Sequence, residues 1–284
     1  MTVMTKTGNE DRLEATKTYM ICLDVDGTLV NHDGEMSRAV KDSARAIVAA
    51  GHEVVISTGR SLEATLPVIR MLGIENGHAV CCNGGVTARI DTSLEYGYEV
   101  VERKTFDPRP ALLALQEWLP TAKYALEDDE GRFLSTERFQ DASFGVVAEP
   151  VTLDKMLEAT AVRLVVFSTD STAEEFGEAV GSIGLSGVTY SVGWTAWLDI
   201  AAEGVTKASG LEALREKRGF GIERTVAVGD GRNDIEMLSW AGRGVAMGQA
   251  PEEVKAVADE IAAHVDEDGL ATVLQDILAG DTDA

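Results

Sequence analysis

The chain has 284 residues, of which 45% are hydrophobic and 26% charged, and its net charge is −23. That length suits two domains with a sizeable core, and the composition is that of a soluble globular protein. A field this negative repels nucleic acid, anionic membranes and phosphate esters alike, so no nucleic-acid or membrane partner is expected, and any phosphate site must be made locally positive.

Residues 1–17 are polar and charged, lack the apolar centre of a signal peptide, and read as a mobile tail. No later stretch reaches ~18 uninterrupted apolar residues, so no membrane span is expected and the cytoplasm is the expected compartment. Cys22, Cys81 and Cys82 lie in apolar, strand-like runs without metal-ligand spacing, which predicts buried, reduced thiols. The oligomeric state is left open.

The first ordered stretch is Tyr19-Met20-Ile21-Cys22-Leu23-Asp24-Val25-Asp26-Gly27-Thr28-Leu29. An apolar run of strand length stops at two acids and a glycine. Carboxylates at the end of a buried strand need a partner, and a divalent cation suits them. Ser37 caps an expected helix to about Ala50, with Val40, Ala44 and Ile47 at helical spacing. Glu53 to Ser57 is a second strand, ending in the turn Ser57-Thr58-Gly59-Arg60; a helix from Ser61 to Leu72 follows, then a strand Ala79 to Cys82 ending at Asn83-Gly84-Gly85. This alternation predicts a parallel sheet with right-handed crossovers. Asp24, Thr58 and Asn83 then lie at the carboxyl ends of strands, where such sheets bind ligands.

From Val86 to Val192 the rhythm is antiparallel: alternating stretches at Val86–Ile90 and Tyr96–Arg103, a hairpin around Asp128-Asp129-Glu130-Gly131, a strand Ala161–Ser168 and a helix Thr172–Ile183. The parallel pattern is expected to return at Trp197-Leu198-Asp199-Ile200. Thr206 caps a helix carrying Lys207, and a strand Thr225–Gly229 ends at Asp230-Gly231-Arg232-Asn233-Asp234. Helices Ile235–Trp240, Pro251–Ala258 and Leu270–Leu278 and a strand Gly244–Met247 complete the pattern.

Four motifs in order resemble those of the haloacid-dehalogenase-like hydrolase superfamily. Asp24-Val25-Asp26-Gly27-Thr28 resembles its D-x-D-G-T signature, Thr58 its second motif, Lys207 its third, and Gly229-Asp230 through Asp234 its fourth, G-D-x-x-x-D. The resemblance implies a Rossmann-like α/β core. It also implies Asp24 as the nucleophile, Asp26 as the general acid/base, and Thr58 and Gly59 as donors to phosphoryl oxygens. Lys207 would neutralise the phosphate and Asp24. A Mg²⁺ ion would lie among Asp24, Asp26 (through its main-chain oxygen), Asp230 and Asp234, with Asn233 reaching a phosphate oxygen. Each motif also has a plain structural reading: Thr58 or Ser61 as a helix cap, Lys207 as a surface lysine, the fourth motif as a turn into a capped helix.

Thr58 follows Asp24 by 34 residues and Asp230 follows Lys207 by 23, each one crossover, but Lys207 follows Thr58 by 149. An α+β insert must therefore separate the second and third motifs. This resembles the Cof-type branch, whose N-G-A segment Asn83-Gly84-Gly85 approximates. The expected domains are a core of residues 18–85 and 193–284 and a cap of residues 86–192; Arg132 and Trp194 are candidate substrate contacts, with a core or surface role as the other reading of each. Within the superfamily that the chain resembles, an acid at the position of Asp26 implies fast hydrolysis of an aspartyl phosphate. The implied activity is a Mg²⁺-dependent phosphatase acting on small phosphorylated metabolites such as sugar phosphates. A phosphomannomutase-like mutase and a non-catalytic binding protein are the alternatives.

Overall fold

The computed structural model describes residues 18–136, 145, 147–168, 170, 172–193 and 196–282. The expected N-terminal tail and Trp194 lie outside them. The chain opens with β1 (Met20–Leu23), α1 (Arg38–Ala49), β2 (Glu53–Ser57), α2 (Leu62–Leu72) and β3 (Asn76–Cys81). Ser37 and Ser61 cap the two helices by accepting the N–H of Val40 and Ala64. β1, β2 and β3 pair in parallel, as the alternation predicts.

β4 (Val86–Asp91) and β5 (Tyr98–Arg103) then add to β3 in antiparallel fashion. A second unit follows: α3 (Arg109–Trp118), β6 (Lys123–Asp128), β7 (Phe133–Ser135), β8 (Glu149–Pro150), α4 (Leu153–Leu157), β9 (Ala161–Phe167), α5 (Ala173–Ile183), β10 (Val188–Val192) and β11 (Trp197–Ala202). The chain returns through α6 (Lys207–Arg218), β12 (Thr225–Gly229), α7 (Ile235–Trp240), β13 (Arg243–Ala246), α8 (Glu252–Lys255), β14 (Glu260–Ile261) and α9 (Gly269–Thr282).

The first sheet runs β14-β13-β12-β1-β2-β3-β4-β5 and the second β10-β11-β9-β6-β7-β8. Sheet membership corrects the expected cap of 86–192 at both ends. β4 and β5 belong to the core sheet, because Val86, Ala88 and Ile90 bury one face in the core. Trp197-Leu198-Asp199-Ile200 belongs to the cap sheet, antiparallel to both β9 and β10, rather than to the parallel sheet. Short apolar strands read alike from sequence in either sheet, so only pairing separates them.

Side-chain alternation divides β1 between two core layers. Ile21 and Leu23 pack with α1, α2 and α9, and Met20 and Cys22 with α6 and α7. In the cap, Leu126, Leu164, Val166 and Leu198 face Leu112 and Leu115 of α3 and Phe176 of α5. The other cap face carries Ala125, Phe133, Val165 and Trp197, with the charged residues Glu127, Arg163 and Asp199 alongside. All three cysteines are free and buried, and burial holds their thiols well above the ordinary range. No described helix is long and apolar enough to cross a membrane.

The turn leaving β3 joins the layers. Cys82 and Asn83 both have φ of 52° and Gly84 has φ of 100°. A Cβ on Gly84 would lie 2.1 Å from the carbonyl oxygen of Thr206, the residue that caps α6. Gly84→Ala is therefore expected to destabilise the protein by about 2–4 kcal/mol, read as a lower urea midpoint at unchanged slope. An unaltered midpoint would mean that the turn and α6 separate freely.

Candidate active site

The sheet order places β1 between β2 and β12, and the chain first builds outward from β1 to β3 and later from β12 to β14. The crevice at such a reversal is where an open α/β sheet binds ligands. Asp24 follows β1 and Asp230 follows β12 at this reversal. Asp24 is 5% exposed, and its N–H donates to the Val228 carbonyl at 3.0 Å, so strand pairing fixes its backbone. The loop behind it closes through N–H donations from Leu29 and Val30 to the Val25 carbonyl. Gly27, with φ of 82°, is needed there because a Cβ would lie 2.2 Å from Asp230 Oδ2.

The carboxylates of Asp24, Asp230 and Asp234 present oxygens within 4.8 Å of one another. Lys207, the first residue of α6 and fully buried, donates from Nζ at 2.6 Å to both Asp24 Oδ1 and Asp234 Oδ1. Asp234 Oδ2 is held by the N–H groups of Asp230 (3.0 Å) and Gly231 (2.9 Å). The second oxygen of Asp234 is therefore spent on shaping the loop. Asp230 meets Gln249 Nε2 at 3.3 Å, and the same Nε2 binds the Gly27 carbonyl.

Asp26 is placed differently. Its side chain is 61% exposed and takes a bidentate pair from Arg60, 2.8 Å from Nε and 2.5 Å from Nη2. Its carboxylate is thus not part of the three-acid group. Thr58 is buried at the end of β2 with its hydroxyl accepting the Arg60 N–H at 3.1 Å. Ser61, not Thr58, is the cap of α2. Asn233 Nδ2 donates to Asn83 Oδ1 at 2.9 Å, and a Cβ on Gly59 would lie 3.1 Å from that same oxygen. Thr58, Gly59, Asn83 and Asn233 therefore form one wall.

Burial, with the charges of Asp234 and Asp230, raises Asp24 well above the usual carboxylate range, although Lys207 opposes the shift. Burial and Asp234 push Asp230 up to about 6. Burial disfavours the Lys207 cation, yet Asp234 and Asp24 more than offset it and hold its pKa above the ordinary lysine value. Three crowded acids with one ammonium leave an excess of negative charge and a set of hard oxygen donors. That donor set fits Mg²⁺.

Asp24, Asp26, Thr58 and Asp230 line a cavity of about 360 Å³. It adjoins one of about 680 Å³ whose lining includes Lys207 and Asn83, and Asn233, Arg163 and Asp199 line both. Four residues of this region had no assigned role in the sequence. Arg60 stood in the quoted turn, two residues past Thr58. Arg163 and Asp199 were charges inside apolar strands. Gln249 sits in a loop without a motif, and nothing in the sequence marks it. Arg132 pairs with Asp128 at 2.7 Å in its hairpin turn and lines neither cavity, so it does not meet the expectation of a substrate contact.

The phosphatase YwpJ of Bacillus subtilis is 25% identical over 292 residues, covering 91% of this chain and 99% of its own. Pyridoxal phosphate phosphatase YbhA of Escherichia coli is 28% identical over 275 residues, covering 89% and 96%. The solved structure of a subclass IIB sugar phosphatase of the same superfamily superposes with a TM-score of 0.76 at 26% identity, covering 92% of this chain and 99% of that one. The family model for haloacid dehalogenase-like hydrolases matches residues 21–274, and the chain belongs to that family.

Proposed function

We propose that the protein is a Mg²⁺-dependent phosphatase that hydrolyses small phosphorylated metabolites, sugar phosphates among them, through an aspartyl phosphate on Asp24. The observation that carries this reading is the packing of Asp24 against Lys207, Asp230 and Asp234 at the sheet's reversal point. The names of the phosphatase relatives support it.

In this reading Asp24 attacks phosphorus, and the leaving oxygen takes its proton from the carboxyl of Asp26. Water then attacks the acyl phosphate, giving its proton back to Asp26, and inorganic phosphate departs with the Asp24 carboxylate restored. Thr58, the Gly59 N–H, Asn233 and Lys207 hold the phosphoryl oxygens as charge develops on them. Lys207 also favours the ionised form of Asp24, in opposition to its burial. In this structure Arg60 occupies both oxygens of the Asp26 carboxylate, so in this reading Asp26 leaves Arg60 and turns toward the phosphoryl site to give and take the proton. Asp24, Asp230, the main-chain oxygen of Asp26 and Asp234 would hold Mg²⁺, which supplies charge neutralisation of the phosphoryl group.

Asp24→Asn is expected to lower phosphate release by on the order of 10³-fold or more while the protein stays folded, because an amide forms no acyl phosphate. Activity within tenfold of wild type would overturn the assignment of the nucleophile. EDTA should abolish turnover and Mg²⁺ restore it. In a ³¹P NMR time course on a hexose phosphate, inorganic phosphate should appear as fast as substrate is lost; an isomeric sugar phosphate accumulating first would mark a mutase.

Asp230 gives a pH test of the metal site. A carboxyl whose pKa is higher folded than unfolded binds more protons when folded. Its ionisation therefore removes stability as pH rises from about 4 to about 6. In metal-free buffer Asp230→Asn should melt higher than wild type above about pH 6, and the gap should close below about pH 4. Added Mg²⁺ should raise the wild-type Tm and leave the variant unmoved. Equal responses of the two proteins to Mg²⁺ would exclude Asp230 as a ligand.

A further inference from the structure

The cap sheet turns two unlike faces outward from its strands. One is apolar and covered by α3 and α5. The other sets an ion pair among apolar neighbours and lines both cavities. Arg163, in the middle of β9, is 3% exposed, and its Nε lies 2.6 Å from Asp199 Oδ1 on the neighbouring β11. Trp197 Nε1 donates to the other oxygen, Asp199 Oδ2, at 2.9 Å. Glu127 is directly opposite Arg163 in the sheet register, and Ser191 is directly opposite Asp199. A buried ion pair is a poor source of stability, since apolar residues of similar volume often do as well or better. The cap has its own apolar core on the other face, so the pair is not needed to hold the sheet to its helices.

The charges of the larger cavity are nearly all spoken for. Among the described residues its lining cations are Arg163, Lys207 and Arg232. Arg163 is bound to Asp199, Lys207 to Asp24 and Asp234, and Arg232 to Glu253. Glu174 and Glu236 add two exposed carboxylates to the same lining. In the lining itself the carboxylates of Asp199, Glu174 and Glu236 equal the cations in number, but Asp24, Asp234 and Glu253 pair with Lys207 and Arg232 from outside it, so a ligand group entering this cavity meets cations already matched, two further carboxylates, and hydroxyls and carboxamides.

We propose that Arg163 and Asp199 are specificity-determining residues that admit a neutral, hydroxylated leaving group and reject one carrying a second anionic group. The inference rests on the phosphatase reading and narrows its substrate class. Asp199 accepts a hydroxyl of the leaving group while remaining bound to Arg163 and Trp197. A carboxylate or second phosphate in the same place faces Asp199, with the Arg163 charge already compensated. The cap thereby selects by charge, through repulsion of the wrong partner as well as attraction of the right one.

The test compares two open-chain substrates that differ at one end, sorbitol 6-phosphate with its terminal CH₂OH and 6-phosphogluconate with a carboxylate there. Acetyl phosphate serves as a donor too small to reach the cap. With the full-length protein, kcat/KM for sorbitol 6-phosphate should exceed that for 6-phosphogluconate by about tenfold or more, chiefly through KM. Asp199→Asn keeps the shape and an acceptor oxygen but releases the charge of Arg163. It should shrink or invert that ratio by about tenfold, with a gain on 6-phosphogluconate that a merely structural role would not produce. If Asp199→Asn loses its cooperative melt, the exposed Glu174→Gln applies the same charge test, with an expected severalfold gain on 6-phosphogluconate. Wild-type discrimination below threefold, or a ratio unchanged in the variants while acetyl phosphate is hydrolysed, would overturn the inference alone. Absence of phosphate release from all three compounds would overturn the phosphatase reading and the inference with it.

Discussion

One buried ammonium holds the site together. Lys207 reaches from the first turn of α6 to Asp24, 183 residues earlier in the chain, and to Asp234, 27 residues later. A lysine without solvent is tolerable only with its charge matched, and carboxylates this deep are tolerable only beside a cation. Each group is thus a condition for the other two. The position of Lys207 also opposes the helix dipole, which adds to its demand for negative partners. Asp24 is the partner that the family resemblance implies for Lys207, and Asp234 is a second one.

The remaining parts are backbone devices that keep this cluster in place. Strand pairing continues through the Asp24 N–H, Gly27 lets the first loop pass against Asp230, and the N–H groups of Asp230 and Gly231 clamp Asp234. Gln249 fastens the far loop by binding the Gly27 carbonyl and Asp230 from Nε2 and the Val265 N–H from Oε1. Loss of any one of these contacts would misplace an oxygen by a fraction of an ångström, which matters for in-line chemistry.

Core and cap meet through the same turn that shapes the phosphoryl wall. Cys82 and Asn83 sit in left-handed backbone conformations, uncommon for residues with a Cβ. Their N–H groups donate to the carbonyls of Arg60 and Thr58, so the turn is fixed to the second motif. Cys82 Sγ contacts Glu127 of the cap at 3.1 Å, and Asn83 holds Asn233. Burial raises the Glu127 carboxyl, which suits an acid enclosed between the layers. Strain, thiol and carboxyl therefore gather where the cap packs against the core, at a cavity that Arg163 also lines.

Sequence alone determined much of the core. Alternation of apolar strands with capped helices implies parallel pairing, because a crossover of that length brings the next strand back beside the first. The ends of those strands carried Asp24, Thr58, Asp230 and Asp234, and the interval before Lys207 required an insert. What sequence could not decide was pairing and partnership. β4 and β11 are short runs with buried residues and β5 is a short run that is only partly buried, and such runs suit either sheet equally until hydrogen bonds choose. The engagement of Asp26 by Arg60, the anchoring by Gln249 and the Arg163–Asp199 pair depend on contacts between residues 34, 222 and 36 positions apart. No local pattern encodes such distances. Only the packed tertiary structure, by closing the cap sheet over the strand ends, fixes which charges compensate one another and which face the cavity.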